Sequence, residues 1–315
     1  MQEFNPDDLK QVYIPAPFSH KAQNGKLLLV GGSHLFHAAS LWALTIASRI
    51  VDMVFYSSVP ENNQIVHESK KEFRNGIIVP REKIEDYADE ADCILIGPGM
   101  MRTNRVENGA LRVENLKEIN ALEDEGMQSY YLTKYLLEKY PQKKWVIDAG
   151  ALQMIEPEWL LQLHGNVVLT PHPVEFERLE SGIKNQESRE KLENENKEKQ
   201  VAWFAKKYNT IVLLKGQEDI ICSPDKCVRI PGGNAGMTKG GTGDVLAGLV
   251  AALACKNDLW FAATAGSYFN KKAGERLFEK VGYYFNASDL ADELPKVMAA
   301  QIRMYSNGVT PNTSK

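Results

Sequence analysis

The chain has 315 residues and a formal net charge of −4, so its length suits one large α/β domain and its charge argues against a nucleic-acid partner. Apolar residues make up 43% of the sequence and charged residues 25%, as in ordinary globular proteins. The longest apolar run, residues 245–255, is too short to span a bilayer, so we expect no membrane partner. The acidic start, residues 1–8, lacks the pattern of a signal peptide, and we expect a cytoplasmic location.

Short apolar runs alternate along the chain with segments of helical spacing at residues 38–51 and 129–140. This alternation predicts an α/β fold with a mostly parallel central sheet and helices on both faces. Uniformly apolar strands fit a sheet that is buried on both sides. The predicted strands are 27–30, 53–56, 93–96, 145–147, 166–169 and 210–214, followed by a hairpin of 220–222 and 227–230.

Two polar segments are predicted at the surface of a single domain that covers residues 1–315. Residues 100–128 are longer than a common connection, and we interpret them as a surface insertion rather than a lid. Residues 186–200 are rich in Glu, Lys and Asn and predict the solvated start of a helix that ends near Tyr208. The four cysteines lack metal-type spacing, and Cys93 and Cys255 lie in apolar runs typical of core residues.

A glycine-rich loop is the strongest chemical signal in the sequence. Gly240, Gly241, Thr242 and Gly243 precede Asp244 and an apolar helical run. Glycine backbone at a helix start predicts an anion hole, most plausibly for phosphate. A carboxylate at position 244 would repel a phosphate bound in this loop. The conflict is removed if Asp244 is the base that takes a proton from the hydroxyl that attacks the phosphate. The alternative is an ordinary turn followed by a first-turn helix acid.

Five predicted strands end in polar or glycine-containing motifs. Because ligands of open α/β sheets bind beyond the carboxyl ends of the strands, these motifs predict a site at one edge of the sheet. They are Gly31-Gly32-Ser33, Gly97-Pro98-Gly99, Asp148-Ala149-Gly150, Thr170-Pro171-His172-Pro173 and Lys215-Gly216.

In order and approximate spacing, these motifs and the glycine loop resemble those of the NAD(P)H-hydrate dehydratases of the ribokinase-like superfamily, from about residue 20 to residue 294. The resemblance implies a ribokinase-like fold. It also implies removal of the C6 hydroxyl from hydrated NADH or NADPH, with ADP or ATP as phosphoryl donor and release of phosphate. Mg²⁺ is expected with the nucleotide, and its protein ligands stay unassigned. An N-terminal epimerase domain, common in the family, is expected to be a separate protein here.

The resemblance also implies roles for individual residues, with Asp244 as the general base. The hydrate-binding residues are Ala39, Gly99, His172 and Asp244. The nucleotide-binding residues are Lys215, Gly216, Gln217, Glu218, Asp219 and Gly243. Structural alternatives exist: Ala39 as a helix-start alanine, His172 as a loop histidine, and Lys215 with Gly216 as a plain strand terminus.

The sequence departs from the family pattern at three points. Residues 36–38 replace the usual Tyr-Pro-Gly, although Phe36 can still stack on a ring. Gly150 replaces the second Asp of an Asp-Ala-Asp motif, and Asp219 stands where many bacterial members have Thr or Ser. The Asp219 substitution leaves the choice between ADP and ATP open.

Two other functions compete with the dehydratase. One is a small-molecule kinase of the same superfamily, such as a hydroxyethylthiazole or hydroxymethylpyrimidine kinase, and the Thr-Pro-His-Pro motif argues against it. The other is a non-catalytic nucleotide-binding regulator, against which Asp244 argues because binding alone favours a neutral residue. We expect a homo-oligomer, although the apolar segments suit a core as well as an interface.

Overall fold

The computed structural model describes residues 1–71, 75–103, 113–183 and 195–306, with side chains as far as Met304. Ten strands form one sheet in the order β1-β10-β9-β8-β7-β6-β5-β2-β3-β4. Only the β8–β9 and β9–β10 pairs are antiparallel among the described strands. The strands are β1 (Gln2–Glu3), β2 (Lys26–Val30), β3 (Met53–Ser57), β4 (Ile77–Ile78), β5 (Cys93–Ile96), β6 (Lys144–Ile147), β7 (Val167–Leu169), β8 (Ile211–Leu214), β9 (Asp219–Cys222) and β10 (Cys227–Ile230).

Eleven α-helices occur in the described residues. They are α1 (His37–Ala47), α2 (Pro60–Ser69), α3 (Ile84–Glu90), α4 (Leu116–Asn120), α5 (Glu125–Lys139), α6 (Ala149–Met154), α7 (Pro173–Ser181), α8 (Lys197–Lys207), α9 (Thr242–Ala254), α10 (Leu259–Val281) and α11 (Ala287–Ser306).

The helices cover both faces of the sheet, as predicted. Along β2, Leu27 and Leu29 pack into one apolar cluster with α1, α9, α10 and α11. Leu28 and Val30, which alternate with them, pack into a second cluster with α3, α5, α7 and α8. Each fully buried leucine contributes about 1.5–3 kcal/mol to folding. The sheet is therefore held between two cores, and its carboxyl edge is left for the site.

The close crossing of α1 and α9 fixes the start of α9. A β-carbon on Gly248 would lie 2.7 Å from the Cα atom of Ala43 on α1. Only glycine at that position lets the two helices approach so closely. The glycine loop that precedes α9 is thereby held against α1.

The predicted strands are confirmed to within one residue at each end, but two helix limits were wrong. Helix α1 ends at Ala47 rather than residue 51, because residues 48–51 form turns. Helix α5 begins at Glu125 rather than residue 129. The Asp124 side chain caps it by accepting a hydrogen bond of 2.8 Å from the Met127 amide.

The two polar segments lie partly outside the described residues, at 104–112 and 184–194. In the remainder of the first segment, α4 buries Leu116 and Ile119 against the second core. In the remainder of the second, the described helix α8 begins at Lys197 after the Asn196 cap. The single-domain organisation and the insertion at 100–128 stay predictions.

The cysteines are partly as predicted. Cys93 and Cys255 are free and buried in the core. Cys222 and Cys227 face each other across the β9–β10 hairpin and form a disulfide. This disulfide was not predicted from the sequence. No helix in the described part of the chain is long and apolar enough to cross a membrane.

Candidate active site

A cavity of about 770 Å³ lies where the carboxyl ends of β6, β7 and β8 meet the start of α9. Many of the residues predicted from the sequence line it. They are His172, Lys215, Gly216, Gln217, Asp219, Gly240, Gly241, Thr242, Gly243 and Asp244. Asp148 and Glu175 also line this cavity, and they give it a cluster of charges that no single motif revealed.

The glycine loop needs its glycine at position 241. Gly241 has φ +93°, and a β-carbon there would lie 2.3 Å from the Trp42 ring. The Thr242 hydroxyl donates to the carbonyls of Met237 (2.6 Å) and Lys239 (2.9 Å), which closes the loop on itself. No atom lies within 4 Å of a β-carbon built on Gly240. The loop is thus rigid on one side and open on the other.

Helix α9 begins directly after this loop at Thr242. The first amides of an α-helix have no carbonyl partner within the helix and carry the positive end of its dipole. Gly243 and Asp244 contribute two of these amides. The arrangement suits an anionic oxygen of a phosphoryl group.

An ion pair holds a cation beside the loop. Lys215 Nζ donates to Asp148 Oδ1 at 3.0 Å, and the same oxygen accepts a bond of 2.7 Å from the Thr170 hydroxyl. A β-carbon on Gly243 would lie 3.4 Å from Lys215 Nζ. Burial lowers the pKa of Lys215, but the charges of Asp148 and Glu175 outweigh burial and leave that pKa above its ordinary value. Lys215 is therefore a fixed positive charge next to the anion-binding loop.

His172 and Glu175 organise the start of α7 as a capping box. The Glu175 amide donates to His172 Nδ1 at 3.3 Å, and the His172 amide donates to Glu175 Oε2 at 2.9 Å. Gln153 Nε2 donates to the other oxygen of Glu175, Oε1. The Glu175 side chain is 5% exposed, and its Oε2 lies 4.0 Å from Lys215 Nζ. The His172 ring itself remains about half exposed. Glu175 was not assigned from the sequence, although its spacing from a capping residue was a usable signal.

Asp244 lies in the first turn of α9, at the edge of the glycine loop. Burial raises its pKa to about 7, with the charges of Asp148 and Glu175 adding to the rise and Lys215 opposing it. A carboxylate that titrates near neutral pH can hold a proton taken from a substrate hydroxyl and release it afterwards. The geometry therefore fits a general base at Asp244.

A buried salt bridge between Asp219 and Lys271 holds the backbone of the segment predicted to bind the nucleotide. Asp219, 4% exposed, accepts hydrogen bonds from the Gly216 amide (2.9 Å) and the Ser267 hydroxyl (2.7 Å). Lys271 Nζ lies 3.2 Å from Asp219 and donates to the carbonyls of Gly216 and Gln217, each at 3.0 Å. Asp219 and Lys271 thus fix the backbone of this loop, and no motif in the sequence pointed to Lys271.

Gln217 and Glu218 are consecutive residues of this loop, but their side chains have different surroundings. Gln217 lines the cavity. The Glu218 carboxylate instead lies 3.6 Å from Arg229 on β10, so the structure places it outside the cavity lining.

Ala39 and Gly99, predicted to contact the hydrate, are adjacent: Ala39 lies in the first turn of α1, and Gly99 follows β5. Gly99 has φ +71°, and a β-carbon on it would lie 3.0 Å from Ala39 Cβ and 2.6 Å from the Phe36 carbonyl oxygen. Neither residue lines the large cavity. Gly97, which also follows β5, packs against Asp148 of the cavity, because a β-carbon built on Gly97 would lie 1.8 Å from the Asp148 carbonyl oxygen.

Gly150 has a steric explanation. A β-carbon at this position would lie 2.1 Å from the Met100 carbonyl oxygen. The backbone of Met100 therefore occupies the space that an aspartate side chain would need.

The chain is similar along most of its length to known proteins of one family. The family model described as NAD(P)H-hydrate dehydratase matches residues 27–296. The chain is 31% identical over 296 residues to the bifunctional NAD(P)H-hydrate repair enzyme Nnr of Methanocaldococcus jannaschii, covering 92% of this chain and 51% of that protein. It is 32% identical over 293 residues to the ADP-dependent (S)-NAD(P)H-hydrate dehydratase of Nitrosopumilus maritimus, covering 89% and 90% of the two chains.

The comparison of structures bears on the fold. The structure superposes on the ADP/ATP-dependent NAD(P)H-hydrate dehydratase of Bacillus subtilis, co-crystallised with ATP and Mg²⁺, with a TM-score of 0.71, 22% identity and coverage of 95% and 98%. This confirms the predicted ribokinase-like α/β fold. The chain spans about half the length of the first curated relatives that it matches. The match over residues 27–296 and the nearly full-length relative together establish that the chain belongs to the NAD(P)H-hydrate dehydratase family.

Proposed function

We propose that this chain catalyses the nucleotide-dependent dehydration of the C6 hydrate of NADH or NADPH back to the intact cofactor. ADP or ATP donates a phosphoryl group, and inorganic phosphate is released. The observation that carries the proposal is the pairing of Asp244, whose pKa is raised to about 7, with an open glycine loop at the start of α9.

The site residues have two roles, proton acceptance and stabilisation of the phosphoryl charge. Asp244 accepts the proton of the ring hydroxyl as that oxygen attacks the terminal phosphorus of the nucleotide. The amides at the start of α9 and the Lys215 ammonium hold the negative charge that develops on the transferring group. The ring nitrogen lone pair then breaks the C6–O bond and expels phosphate, and loss of a proton from C5 restores the double bond.

The donor set fits Mg²⁺ that arrives with the nucleotide. In the described part of the chain, no group of three His, Cys, Asp or Glu side chains could hold a metal alone. Mg²⁺ commonly uses one or two carboxylates together with substrate phosphates and water, and Asp148 and Glu175 supply carboxylates beside the loop. The ion would neutralise phosphate charge during transfer.

We assign the adenine nucleotide to the β8–β10 side of the cavity and the hydrate ring to the β5–β7 side. The first assignment is supported by the loop of Lys215, Gly216 and Gln217, which Asp219 and Lys271 hold rigid. The second is supported by the half-exposed ring of His172, which lines the cavity at the end of β7. We also propose a cytoplasmic location and a homo-oligomeric assembly.

The proposal is tested by supplying purified protein with NADH hydrate, ADP and Mg²⁺. We expect recovery of the absorbance of reduced nicotinamide together with one phosphate for each NADH formed. A kinase of the same fold would instead yield a phosphorylated product without free phosphate, and a regulator would yield neither. Any outcome without NADH recovery overturns the dehydratase proposal.

The choice of phosphoryl donor is tested with the same assay. We expect ADP to support turnover, with selectivity visible in kcat more than in Kd, because only a well-placed terminal phosphate reaches the transfer geometry. A preference for ATP of more than about tenfold, roughly 1.4 kcal/mol, contradicts the choice of ADP and leaves the dehydratase proposal intact.

A further inference from the structure

A second cavity, of about 660 Å³, lies beyond β3 and β4, at the opposite end of the strand order from β8, β9 and β10. Three segments of the chain build its walls. Ser58 follows β3, Arg81 follows β4, and Gln128 lies on the first turn of α5. Among the described residues, none that lines this cavity also lines the active-site cavity. The second cavity is therefore separate from the site of the proposed phosphoryl transfer.

A nearly buried guanidinium forms part of this lining. Arg81 is 6% exposed, and its one hydrogen bond in the described chain is the 2.7 Å bond that Nη1 donates to Gln128 Oε1. Its Nε is buried without a partner, and no described carboxylate forms a direct ion pair with it. Burial lowers the pKa of Arg81 to about 10, so the group stays charged at neutral pH. A buried charge needs a counter-charge, and a carboxylate suits a guanidinium because the two form parallel hydrogen bonds.

The same lining contains an acceptor that has no donor. Asn120 is the last residue of α4, and its Oδ1 is buried with no hydrogen-bond partner among the described residues. Buried polar atoms without a partner are uncommon in folded proteins. Here a donor group and an acceptor atom are both unmet in the walls of one cavity. A ligand that carries an acceptor and a donor matches this pair better than a simple anion does.

The mouth of the second cavity is acidic. Glu61, Glu82 and Glu123 line the cavity with exposed side chains. A fourth carboxylate of the lining, Glu125, is already engaged by His34, whose Nδ1 lies 2.8 Å from it. Because like charges repel, these carboxylates disfavour a phosphate or a dicarboxylate and attract a cationic group. A polyamine would satisfy the mouth but would leave the buried guanidinium without an anion.

We propose that the second cavity binds a free α-amino acid with a basic side chain. Its carboxylate pairs with Arg81, and its α-ammonium donates to Asn120 Oδ1. Its cationic side chain extends toward the carboxylates of Glu61, Glu82 and Glu123. Each unmet group of the lining thereby gains a partner of opposite character. This site goes beyond the proposed dehydratase function and does not depend on it.

The test is a calorimetric titration of L-arginine into the full chain at low ionic strength. We expect a Kd of about 0.1 mM, as for other small ligands, and weaker binding as salt is added. Two analogues separate the contacts. Agmatine lacks the carboxylate, and L-citrulline keeps the shape of L-arginine without the charge on its side chain. Each should bind at least about fivefold more weakly than L-arginine.

Variants at the two ends of the site locate the binding. The double variant Glu61→Gln, Glu82→Gln keeps the side-chain shapes and should raise the Kd of L-arginine at least about threefold, while that of L-citrulline changes less than twofold. Arg81→Gln should weaken L-arginine and L-citrulline about tenfold each and leave agmatine within twofold of its wild-type Kd. Glu279→Gln removes an exposed charge from α10, outside the cavity, and should change no Kd.

The outcomes decide the inference without reference to turnover. A titration of the wild type that shows no binding of L-arginine overturns it. Equal affinity for agmatine excludes the carboxylate contact at Arg81 and overturns it as well, with a polyamine site as the remaining explanation. An unchanged Kd of L-arginine in the double variant places the binding elsewhere and also overturns it. Because both carboxylates of the double variant are exposed, that result decides even if Arg81→Gln fails to fold.

Discussion

Asp148 and Asp244 line the same cavity, yet their surroundings differ. Asp148 ends β6 and is buried, with one oxygen bonded to both Lys215 and Thr170. Asp244 lies in the first turn of α9 and interacts with Lys215 only through its charge. Burial raises the pKa of both carboxyls. Asp148 is bonded directly to Lys215 and positions that cation, whereas Asp244 meets Lys215 only through its charge and is able to exchange a proton. The two aspartates therefore have different tasks.

The largest expected effect comes from Asp244→Asn. If Asp244 is the general base, kcat falls by at least about 100-fold. Nucleotide Kd stays the same or tightens, because a negative charge near the phosphates is removed. Asp225→Asn, an equivalent change in the exposed turn of the β9–β10 hairpin, is the control for turnover. A variant that keeps more than about a tenth of the wild-type kcat excludes Asp244 as the base.

Stability should respond to the two aspartates with opposite signs. Asp148→Asn leaves the Lys215 ammonium without its direct partner, and we expect a loss of about 3 kcal/mol in the free energy of unfolding. Asp244→Asn removes a charge that the folded state disfavours, and we expect a gain at pH 8.

The gain from Asp244→Asn has a defined pH dependence. The folded-state pKa of Asp244 is raised from 3.8 to about 7, so the wild type loses stability as pH rises between these values. The advantage of the variant should grow by about 2 kcal/mol from pH 5 to pH 8 and level off above the folded-state pKa. Denaturant unfolding at several pH values measures it. A constant difference between variant and wild type across this range would show that Asp244 does not titrate there.

The strands and the glycine loop could be predicted from local sequence because each is written in consecutive residues. The six apolar runs are buried on both faces, and Gly241 adopts the positive φ that its residue type permits. The Asp124 cap on α5 is also local, since donor and acceptor are three residues apart. By contrast, Lys271 reaches the loop at Gly216 from α10, and no periodicity reports such a contact between distant parts of the chain.

The same limit applies to the site carboxylates. Glu175 could be recognised as a capping residue from its spacing to His172, but its place 4.0 Å from Lys215 depends on the neighbouring order of β7 and β8. The adjacency of Ala39 and Gly99 similarly depends on the packing of α1 over β2 and on the place of β5 next to β2. Strand order and packing supply what motifs alone could not.

His172 offers a smaller test, because its ring both caps α7 and lines the cavity. We expect His172→Ala and His172→Asn each to raise KM for the hydrate by about fivefold, with nucleotide Kd changed by less than about threefold. Asn can keep the cap, so only His172→Ala should also lose about 1 kcal/mol of stability. Wild-type KM in His172→Asn would restrict His172 to capping.

The smallest expected effect is a change in the pH profile of Asp148→Asn, and it tests directly how the two aspartates are coupled. After burial, the Asp148 charge is the next cause that raises the pKa of Asp244, and Lys215 opposes it. In the wild type we therefore expect kcat/KM to rise with pH through a midpoint near the Asp244 pKa of about 7, because only the deprotonated carboxylate accepts a proton. In Asp148→Asn the raising charge is gone and Lys215 is released to face Asp244. Both changes favour the ionised form, so the midpoint should fall by about one pH unit. The profile is measured at temperatures where the variant remains folded. An unchanged midpoint would mean that a group other than Asp244 controls the acidic limb, and a higher midpoint would mean that Lys215 leaves the site once Asp148 no longer holds it.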